Sequence, residues 1–157
     1  MVEFRLERCA RGERVSRYLV SMAEKDLDRL VAAAREVAQR AYAPGSNFHV
    51  GAALQSEDGQ IFVGCNVENA SFGLTVCAER NAVARAVADG VRSFVRCVVY
   101  TPLAEPGLPC GACRQVLAEF GPAMEIVLVG PSGAMRSMNL AEILPQPFCF
   151  KDLESSN

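Results

Sequence analysis

The apolar residues of this chain recur with two kinds of spacing, one typical of helices and the other typical of strands. Between residues 27 and 41 they follow the three-then-four spacing of a single buried helical face, and a Pro-Gly pair at 44–45 ends that segment. Two apolar runs of strand length follow at 50–55 and 60–65, and the polar turn between them ends in Gly59, which tolerates a positive φ. The first half of the pattern therefore predicts one helix followed by a β-hairpin.

The second half of the chain alternates helices with strands. Thr75 is expected to cap a second helix that runs to about Asp89. The remaining segments are predicted as a buried strand at 94–100, a third helix at 111–120, strands at 125–129 and near 135–138, and a helical turn at 140–144. The order α-β-β-α-β-α-β-β implies right-handed crossovers. The expected fold class is α/β, a three-layer α/β/α sandwich around a mixed sheet of about five strands.

Residues 1–21 differ in character from the rest of the chain. Arginines recur at every third position from Arg5 to Arg17 and are interleaved with glutamates, whereas an organelle-targeting peptide would be poor in acids. Ser21 and Glu24 then match a capping box, which predicts a helix that begins there. We therefore expect an N-terminal extension at 1–21, either disordered or a solvated helix, and a single domain at 22–157.

Composition and charge narrow the range of partners. The chain has 157 residues, of which 50% are hydrophobic, and this suits one compact domain. Its formal net charge of −2 supplies no basic field of the kind on which nucleic-acid binding relies. The sequence shows neither an apolar run of about 20 residues for a membrane span nor a signal peptide. We expect a soluble, cytoplasmic protein that binds a small molecule, and neither nucleic acid nor a membrane.

Three of the seven cysteines have the spacing of a metal site. An odd number of cysteines without a secretory signal argues against a disulfide framework. Cys110 and Cys113 flank Gly-Ala at the start of the third predicted helix, and Cys77 is expected in the first turn of the second. Three protein ligands that leave one position open are typical of a catalytic Zn²⁺, whereas a structural zinc usually has four. The other cysteines are interpreted as small buried hydrophobes or bystanders: Cys9, Cys65, Cys97 and Cys149.

The position of Glu79 indicates that the zinc site predicted from these cysteines is catalytic. It follows Cys77 by two residues, so a helix start can hold it beside a metal without binding the metal. Ligation by three cysteines, a non-ligand Glu as proton shuttle and a Pro-Cys-x-x-Cys segment together are typical of zinc deaminases. His49, the one histidine, has no nucleophile motif near it and is interpreted as non-catalytic. A structural zinc knuckle and a core with accidental cysteines are the alternatives.

From about Leu27 to Leu153 the chain resembles the cytidine deaminase family, in particular its small homotetrameric branch with a Cys₃ zinc site. The resemblance rests on the segments AYAPGSNFHVGAAL, GCNVENASFGLTVCAERNAV and PCGACRQVLAEFG. It implies hydrolytic deamination of cytidine or deoxycytidine to uridine or deoxyuridine plus ammonia, in pyrimidine salvage. It also implies a pyrimidine nucleoside as the partner and a homotetramer whose sites are completed by neighbouring subunits.

The resemblance implies a role for each of several residues. Cys77, Cys110 and Cys113 would bind Zn²⁺, and Glu79 would act as the catalytic acid and base. The substrate contacts would be Asn66 and Glu68 to the ribose 3′-hydroxyl, Phe48 beside the nucleoside, and the Ala78 backbone N–H to the pyrimidine O2. A buried Asn and Glu suit a sugar hydroxyl, because an analogue that lacks the hydroxyl leaves both groups unpaired.

Aromatic residues near the site depart in part from the family pattern. Phe148 fits the tail position that stacks on a neighbouring subunit's cytosine, and Phe150 could substitute for it. Phe72, also expected near the substrate, stands where Tyr is frequent, and Gly45 replaces a common aromatic. These departures concern intersubunit contacts rather than the chemistry.

Three thiolates carry more negative charge than Zn²⁺ carries positive charge, which would make a bound water less acidic. Two helix N-termini oppose this effect with their partial positive charges, and so do Arg80 and Arg114, which adjoin the ligands in sequence. By resemblance, Arg80 matches the arginine that donates hydrogen bonds to the zinc thiolates.

Three other functions fit part of the sequence. A blasticidin-type aminonucleoside deaminase has a related zinc motif, but the pair Asn66 and Glu68 favours cytidine. A zinc-stabilised binding module without turnover would have no need of Glu79. Nucleic-acid editing is disfavoured by the acidic net charge of −2.

Overall fold

The structure is a computed structural model that describes the backbone of residues 12–149 and the side chains of residues 25–149. Cys9 and Phe150, which the sequence interpretation names, lie outside the described residues. The helices are α1 (Gly12–Ala38), α2 (Ala78–Ala88), α3 (Gly111–Phe120) and α4 (Leu140–Ile143), with a 3₁₀ turn at Phe72–Leu74. The strands are β1 (Gly51–Ser56), β2 (Ile61–Cys65), β3 (Phe94–Tyr100), β4 (Glu125–Val129) and β5 (Met135–Asn139).

The predicted mixed five-stranded sheet is confirmed. The strand order in the sheet is β2-β1-β3-β4-β5. Strands β3 and β4 run parallel, and the other three neighbouring pairs are antiparallel. The β-hairpin expected in the first half is β1 with β2, where Ala53 pairs with Val63. The parallel pair requires a crossover connection, and α3 provides it.

Helices cover both faces of the sheet, which gives the expected three layers. On one face, Leu30 and Ala34 of α1 pack on sheet residues that include Ala53 and Val98. On the other face, α2 and α3 pack on the alternate residues of the same strands, which include Ala52, Leu54, Val99, Ile126 and Leu128. Neighbouring strand residues point to opposite faces of the sheet. A strand that is buried on both faces therefore has a continuous run of apolar residues in its sequence.

Two glycines allow the helices to approach the sheet closely. A Cβ atom at Gly51 would lie 2.0 Å from the Ala34 carbonyl oxygen of α1. A Cβ atom at Gly64 would lie 2.3 Å from the Ala82 nitrogen of α2. Both distances are below any real contact, so only glycine fits at these crossings.

Two predicted helix starts are wrong. The first helix begins at Gly12 and continues through Ser21, so the capping box predicted there does not start it. The second helix begins at Ala78 with Cys77 at its N-cap, rather than after Thr75. Residues Val67 and Val76 exchange two backbone hydrogen bonds of 2.9 and 3.0 Å, which keep the chain extended until just before Cys77. Tertiary pairing thus delays the helix that the local sequence favours.

The division into an extension at 1–21 and a domain at 22–157 stays a prediction. None of the helices in the described part of the chain is both long and apolar enough to cross a membrane.

Candidate metal centre and substrate cleft

The N-termini of α2 and α3 meet and bring three cysteine sulfurs together. Cys77 and Cys110 are the N-cap residues of these two helices, and Cys113 lies in the first turn of α3. The Sγ atoms of Cys77 and Cys110 are 3.8 Å apart, and those of Cys110 and Cys113 are 3.4 Å apart. All three sulfurs lie within 4.8 Å of one another. The spacing predicted as a metal site is thus a compact cluster.

The cluster fits a zinc ion with one open position. Zn–S bonds of about 2.3 Å in a tetrahedral site place neighbouring sulfurs about 3.8 Å apart, close to the separations found here. Cys110 is exposed, Cys77 is half-buried and Cys113 is buried, so the cluster spans the boundary between solvent and core. Among the described residues, the group of possible ligands contains these three cysteines and no fourth. Three ligands plus an accessible position are typical of a catalytic rather than a structural zinc.

The environment of the cluster favours the thiolate form of Cys77 and the thiol form of Cys113. The pKa of Cys77 is lowered to about 5, first because the Cys113 thiol donates a hydrogen bond to its sulfur and then because of the Arg80 guanidinium. The pKa of Cys113 is raised, because that same hydrogen bond holds its proton and because its side chain is buried. The two sulfurs therefore share one proton, and the Cys77 sulfur is the one that ionises first.

The two arginines named from the sequence have different partners. Arg80 Nη2 lies 3.8 Å from Cys77 Sγ and donates to the Thr75 carbonyl oxygen at 3.0 Å. Arg114 donates from Nε to the Pro109 carbonyl oxygen at 2.8 Å and from Nη1 to that of Ile143 at 3.1 Å. The guanidinium of Arg80 thus faces a sulfur, whereas that of Arg114 ties the segment before Cys110 to the end of α4.

Glu79 lies buried beside the cysteine cluster. Its exposed fraction is 4%, and it lines the same cleft as Cys77 and Cys110. Its pKa is raised, first because burial disfavours the charged carboxylate and further because of the negative charge of Cys77. A carboxyl group with a raised pKa accepts and returns a proton near neutral pH more readily than an exposed one.

A cleft of about 390 Å³ opens in front of this cluster. Apolar walls come from Phe48, Val50, Val99 and Leu108, and the Ala78 backbone at the start of α2 closes the floor. The first N–H groups of a helix have no partner within the helix, so that of Ala78 can bind a ligand oxygen. A largely apolar cleft with a few polar groups suits a small, flat, partly polar molecule.

Asn66 and Glu68 line the cleft and also hold its rim in place. Asn66 accepts from the Val50 N–H and donates to the Phe48 carbonyl oxygen, both at 2.8 Å. Glu68 Oε2 accepts from the Gly45 N–H at 2.8 Å. Both residues therefore order the segment that carries Phe48.

The other two aromatic residues do not line this chain's own cleft, although Phe72 lies beside Gly45 at its rim. Phe72 and Phe148 have exposed fractions of 78% and 61%, and neither lines the cleft within the described residues. The backbone of Phe148 is held by Gln115, whose side chain donates to the Phe148 carbonyl oxygen at 2.7 Å.

Sequence reasoning missed three polar residues of the cleft: Ser46, Thr75 and Thr101. Ser46 had a local signal, because a hydroxyl two residues before Phe48 can accept its N–H, and it does so at 3.0 Å. Thr101 accepts from the Gly107 N–H at 3.1 Å, a contact within the loop that joins β3 to α3.

Comparisons with known proteins match this chain to zinc-binding deaminases. The family model of the cytidine and deoxycytidylate deaminase zinc-binding region matches residues 24–129. A cytidine deaminase of Sporosarcina psychrophila is 45% identical over 82% of this chain and 95% of its own length. A cytidine deaminase of Halalkalibacterium halodurans is 43% identical over 82% of this chain and 98% of its own.

A solved structure supports the same relationship at the level of the fold. The crystal structure of the cytidine deaminase from Burkholderia pseudomallei superposes with a TM-score of 0.75 and 48% identity, covering 77% of this chain and 98% of that one. The matched residues 24–129 include all three cysteines of the cluster and Glu79. This chain belongs to the cytidine and deoxycytidylate deaminase family.

Proposed function

We propose that this protein is a zinc-dependent cytidine deaminase that converts cytidine or deoxycytidine and water to uridine or deoxyuridine and ammonia. The observation that carries the proposal is the buried Glu79 beside a three-cysteine cluster at the floor of a nucleoside-sized cleft. The relatives' names support the same activity.

Cys77, Cys110 and Cys113 would hold Zn²⁺, which would supply the Lewis acidity that makes water a nucleophile near neutral pH. Glu79 takes one proton from the attacking water and passes it to N3 of the base, while the hydroxyl adds to C4. It then takes the proton of this new C4 hydroxyl and delivers it to the amine, so the C4=O bond forms as the C4–N bond breaks and ammonia leaves. Its raised pKa fits both directions of transfer. Phe48 and Leu108 supply apolar walls of the cleft.

The remaining lining residues orient the nucleoside. The free N–H of Ala78 donates to the pyrimidine O2, and Asn66 and Glu68 bind the ribose 3′-hydroxyl. Glu68 retains lone pairs for this purpose, because a carboxylate accepts about four hydrogen bonds. The phenyl ring of Phe48 packs against the nucleoside.

The test compares wild type with Glu79→Gln. Zinc-loaded wild type is expected to convert cytidine to uridine, measured as a loss of ultraviolet absorbance, to stop when a chelator removes zinc, and to recover when zinc is returned. Glu79→Gln is expected to keep its zinc and lose activity by several orders of magnitude, because the proton has no carrier. Wild-type turnover by Glu79→Gln would contradict the proposal.

The surface beside the cleft supports the proposal of a homotetramer with shared sites. Exposed apolar side chains cluster there, because backbone bridges join the segments of Tyr42, Val67 and Val76 next to the exposed Phe72 and Leu74. An apolar patch of this kind marks an interaction surface. A neighbouring chain seated there brings its Phe148 to a cleft that this chain's own Phe148 does not line. Such an enzyme acts in the cytoplasm, in pyrimidine salvage.

Mixing two variants that each lack one part of the site tests the shared site. Phe148→Ala removes the side chain offered to the neighbour, and Glu79→Gln removes the proton carrier of the chain itself. Hybrids formed by dissociating and reassembling the two variants are expected to regain part of the activity, because some sites then combine an intact Glu79 with an intact Phe148. Light scattering that shows a fully active monomer would contradict the assembly.

A further inference from the structure

A second cavity of about 340 Å³ lies on the face of the sheet opposite the cysteine cluster. It is lined by Arg35 and Gln39 at the end of α1, by His49 and Tyr100, and by Pro131 from the turn after β4. A cavity of this size holds a small organic molecule. The proposed deaminase chemistry makes no use of these side chains.

Residues of the two cavities alternate along the same backbone segments. Phe48 and Val50 line the catalytic cleft, whereas His49 between them lines the second cavity. In the same way Tyr100 faces the second cavity, and its neighbours Val99 and Thr101 face the cleft. Neighbouring residues of extended backbone point to opposite sides, so the second cavity is a separate site and not an arm of the cleft.

Arg35 gives this cavity an uncompensated positive charge. Its Nη2 donates to the Gly130 carbonyl oxygen at 2.9 Å, and its guanidinium lies over the Tyr100 ring at 5.8 Å from the ring centre. Its Nε is buried and has no hydrogen-bond partner. Among the residues whose side chains are described, Arg35 forms no ion pair, and no carboxylate lines the cavity. The one acidic side chain next to it in sequence, Glu36, is paired with Arg40 at 2.7 Å.

The surrounding groups hold the guanidinium in one orientation. The carbonyl of Gly130 and the Tyr100 ring fix its position, and no hydrogen bond to the described residues occupies its Nη1 group. The carbonyl oxygens of Glu36, Val37 and Ala38 at the end of α1 are taken by the N–H groups of the three following residues, which reduces their repulsion of an anion.

We propose that this second cavity binds a small organic oxyanion, a phosphate monoester or a carboxylate, through the guanidinium of Arg35 and the imidazole of His49. A preoriented guanidinium binds such groups through charge-assisted hydrogen bonds. Gln39 and the Tyr100 hydroxyl supply further polar contacts, and Pro131 supplies an apolar wall for the organic part.

Three probes with a common phenyl group distinguish the contribution of negative charge to binding from that of the ring. They are phenyl phosphate, benzoate and neutral benzamide. Binding is measured by calorimetry on the zinc-loaded full chain in phosphate-free buffer, with saturating uridine to occupy the catalytic cleft. Saturable binding of either anion, and at least about tenfold weaker binding of benzamide, is expected because the charge-assisted bonds require the anion. The tighter of the two anions identifies the class of headgroup. Equal binding of benzamide, or no saturable binding of either anion, would overturn the proposal.

Variants locate the bound anion. Arg35→Gln is expected to weaken anion binding roughly tenfold or more, and Arg35→Lys less, because lysine keeps the charge but not the planar fork. The matched control is Arg29→Gln, which removes an exposed arginine of α1 that is paired with Asp26 and does not line the cavity, and it is expected to leave binding unchanged. Equal affinities of Arg35→Gln and Arg29→Gln would overturn the assignment.

His49→Leu tests the proposed anion site independently of Arg35, because this variant leaves the contact between Arg35 and Gly130 in place. We expect several-fold weaker anion binding with an unchanged melting temperature and zinc content. If Arg35→Gln does not fold, the anion affinity of His49→Leu alone tests the proposal. Wild-type affinity in His49→Leu would overturn it.

Discussion

The side chain of Ser46 joins Glu68 to the backbone of Phe48 across the rim of the cleft. Its hydroxyl donates to Glu68 Oε1 and accepts the Phe48 N–H at 3.0 Å. The other oxygen of Glu68 accepts the N–H groups of Gly45 at 2.8 Å and Ser46 at 3.3 Å. One small side chain therefore sets the positions of a polar and an aromatic residue of the cleft.

Ser46→Ala is expected to raise the KM for cytidine about five- to tenfold with little change in kcat. The variant loosens contacts that hold substrate and transition state equally, and the loss of such contacts changes KM rather than kcat. Steady-state kinetics measures both constants. Ser71→Ala is the matched control, because the Ser71 side chain makes no capping hydrogen bond at the neighbouring 3₁₀ turn. A fall in kcat with an unchanged KM would contradict this role.

Glu68 should titrate at higher pH when Ser46 is replaced. Its pKa lies below the usual 4.5, mainly because the Ser46 hydroxyl donates to the carboxylate. A lowered folded-state pKa means that this anchor contributes fully above pH 4.5 and is lost as pH falls through the folded-state value. A ¹³C NMR titration of the Glu68 carboxyl is expected to give a pKa nearer 4.5 in Ser46→Ala than in wild type. Identical titration curves would show that the hydroxyl does not stabilise the charge.

Arg80→Ala is expected to lower kcat by about 10–100-fold while the protein still binds one zinc per chain, the usual range for a residue that supports a metal ligand. The guanidinium is one of the groups that favour the Cys77 thiolate, and it lies 3.8 Å from that sulfur. Metal analysis and steady-state kinetics test both parts. Arg85→Ala, an exposed arginine on the same helix, should behave as wild type. Wild-type kcat in Arg80→Ala would leave the two helix N-termini as the groups that stabilise the thiolates.

Gly64→Ala is expected to destabilise the fold by about 1–3 kcal/mol or more, the usual cost of overpacking. The new methyl group would lie 2.3 Å from the Ala82 nitrogen and 2.5 Å from the Ala78 oxygen, so α2 would have to move away from β2. Since α2 carries Cys77, zinc affinity should fall as well. Urea unfolding and metal titration measure the two effects. Gly73→Ala is the control, because nothing lies within 4 Å of a Cβ at that position, and equal stability of the two variants would contradict the close packing.

Leu108 should allow substituents on the exocyclic amine of the substrate. Its side chain lines the cleft and is 45% exposed, so it forms an apolar wall that opens to solvent. We expect measurable turnover of N4-acetylcytidine, followed by liquid chromatography, and slower turnover by Leu108→Ser, which makes the wall smaller and more polar. Turnover no faster than the buffer background would remove this role for Leu108.

The strands were predictable because their apolar content is a local property of the chain. The predicted strands at 94–100 and 125–129 agree with β3 and β4, and the predicted helix at 111–120 agrees with α3. Runs rich in β-branched residues can be buried on both faces only in the middle of a covered sheet, so the three-layer class followed as well. The cysteine pattern and Glu79 were equally visible, because their chemistry depends on residue type and short spacing.

Helix starts were less predictable because distant parts of the chain compete for the same backbone groups. Thr75 has the chemistry of a cap, but pairing between Val67 and Val76 keeps this segment extended. The capping box at Ser21 lies inside a helix that the structure starts at Gly12. In both places the local preference is worth about 1 kcal/mol, which longer-range contacts easily exceed.

By itself the sequence determined the sheet-forming segments, the three cysteines of the cluster and the carboxylate beside them. Each of these features depends on residue type and on short spacing along the chain. Only the tertiary structure decided that the N-caps Cys77 and Cys110 meet with their sulfurs 3.8 Å apart, that Ser46 ties Glu68 to Phe48, and that Arg35 faces a second cavity. These relationships join residues 22 or more positions apart in most cases. Their geometry depends on how the helices cross the sheet, and glycines such as Gly64 set that crossing through the space they leave open.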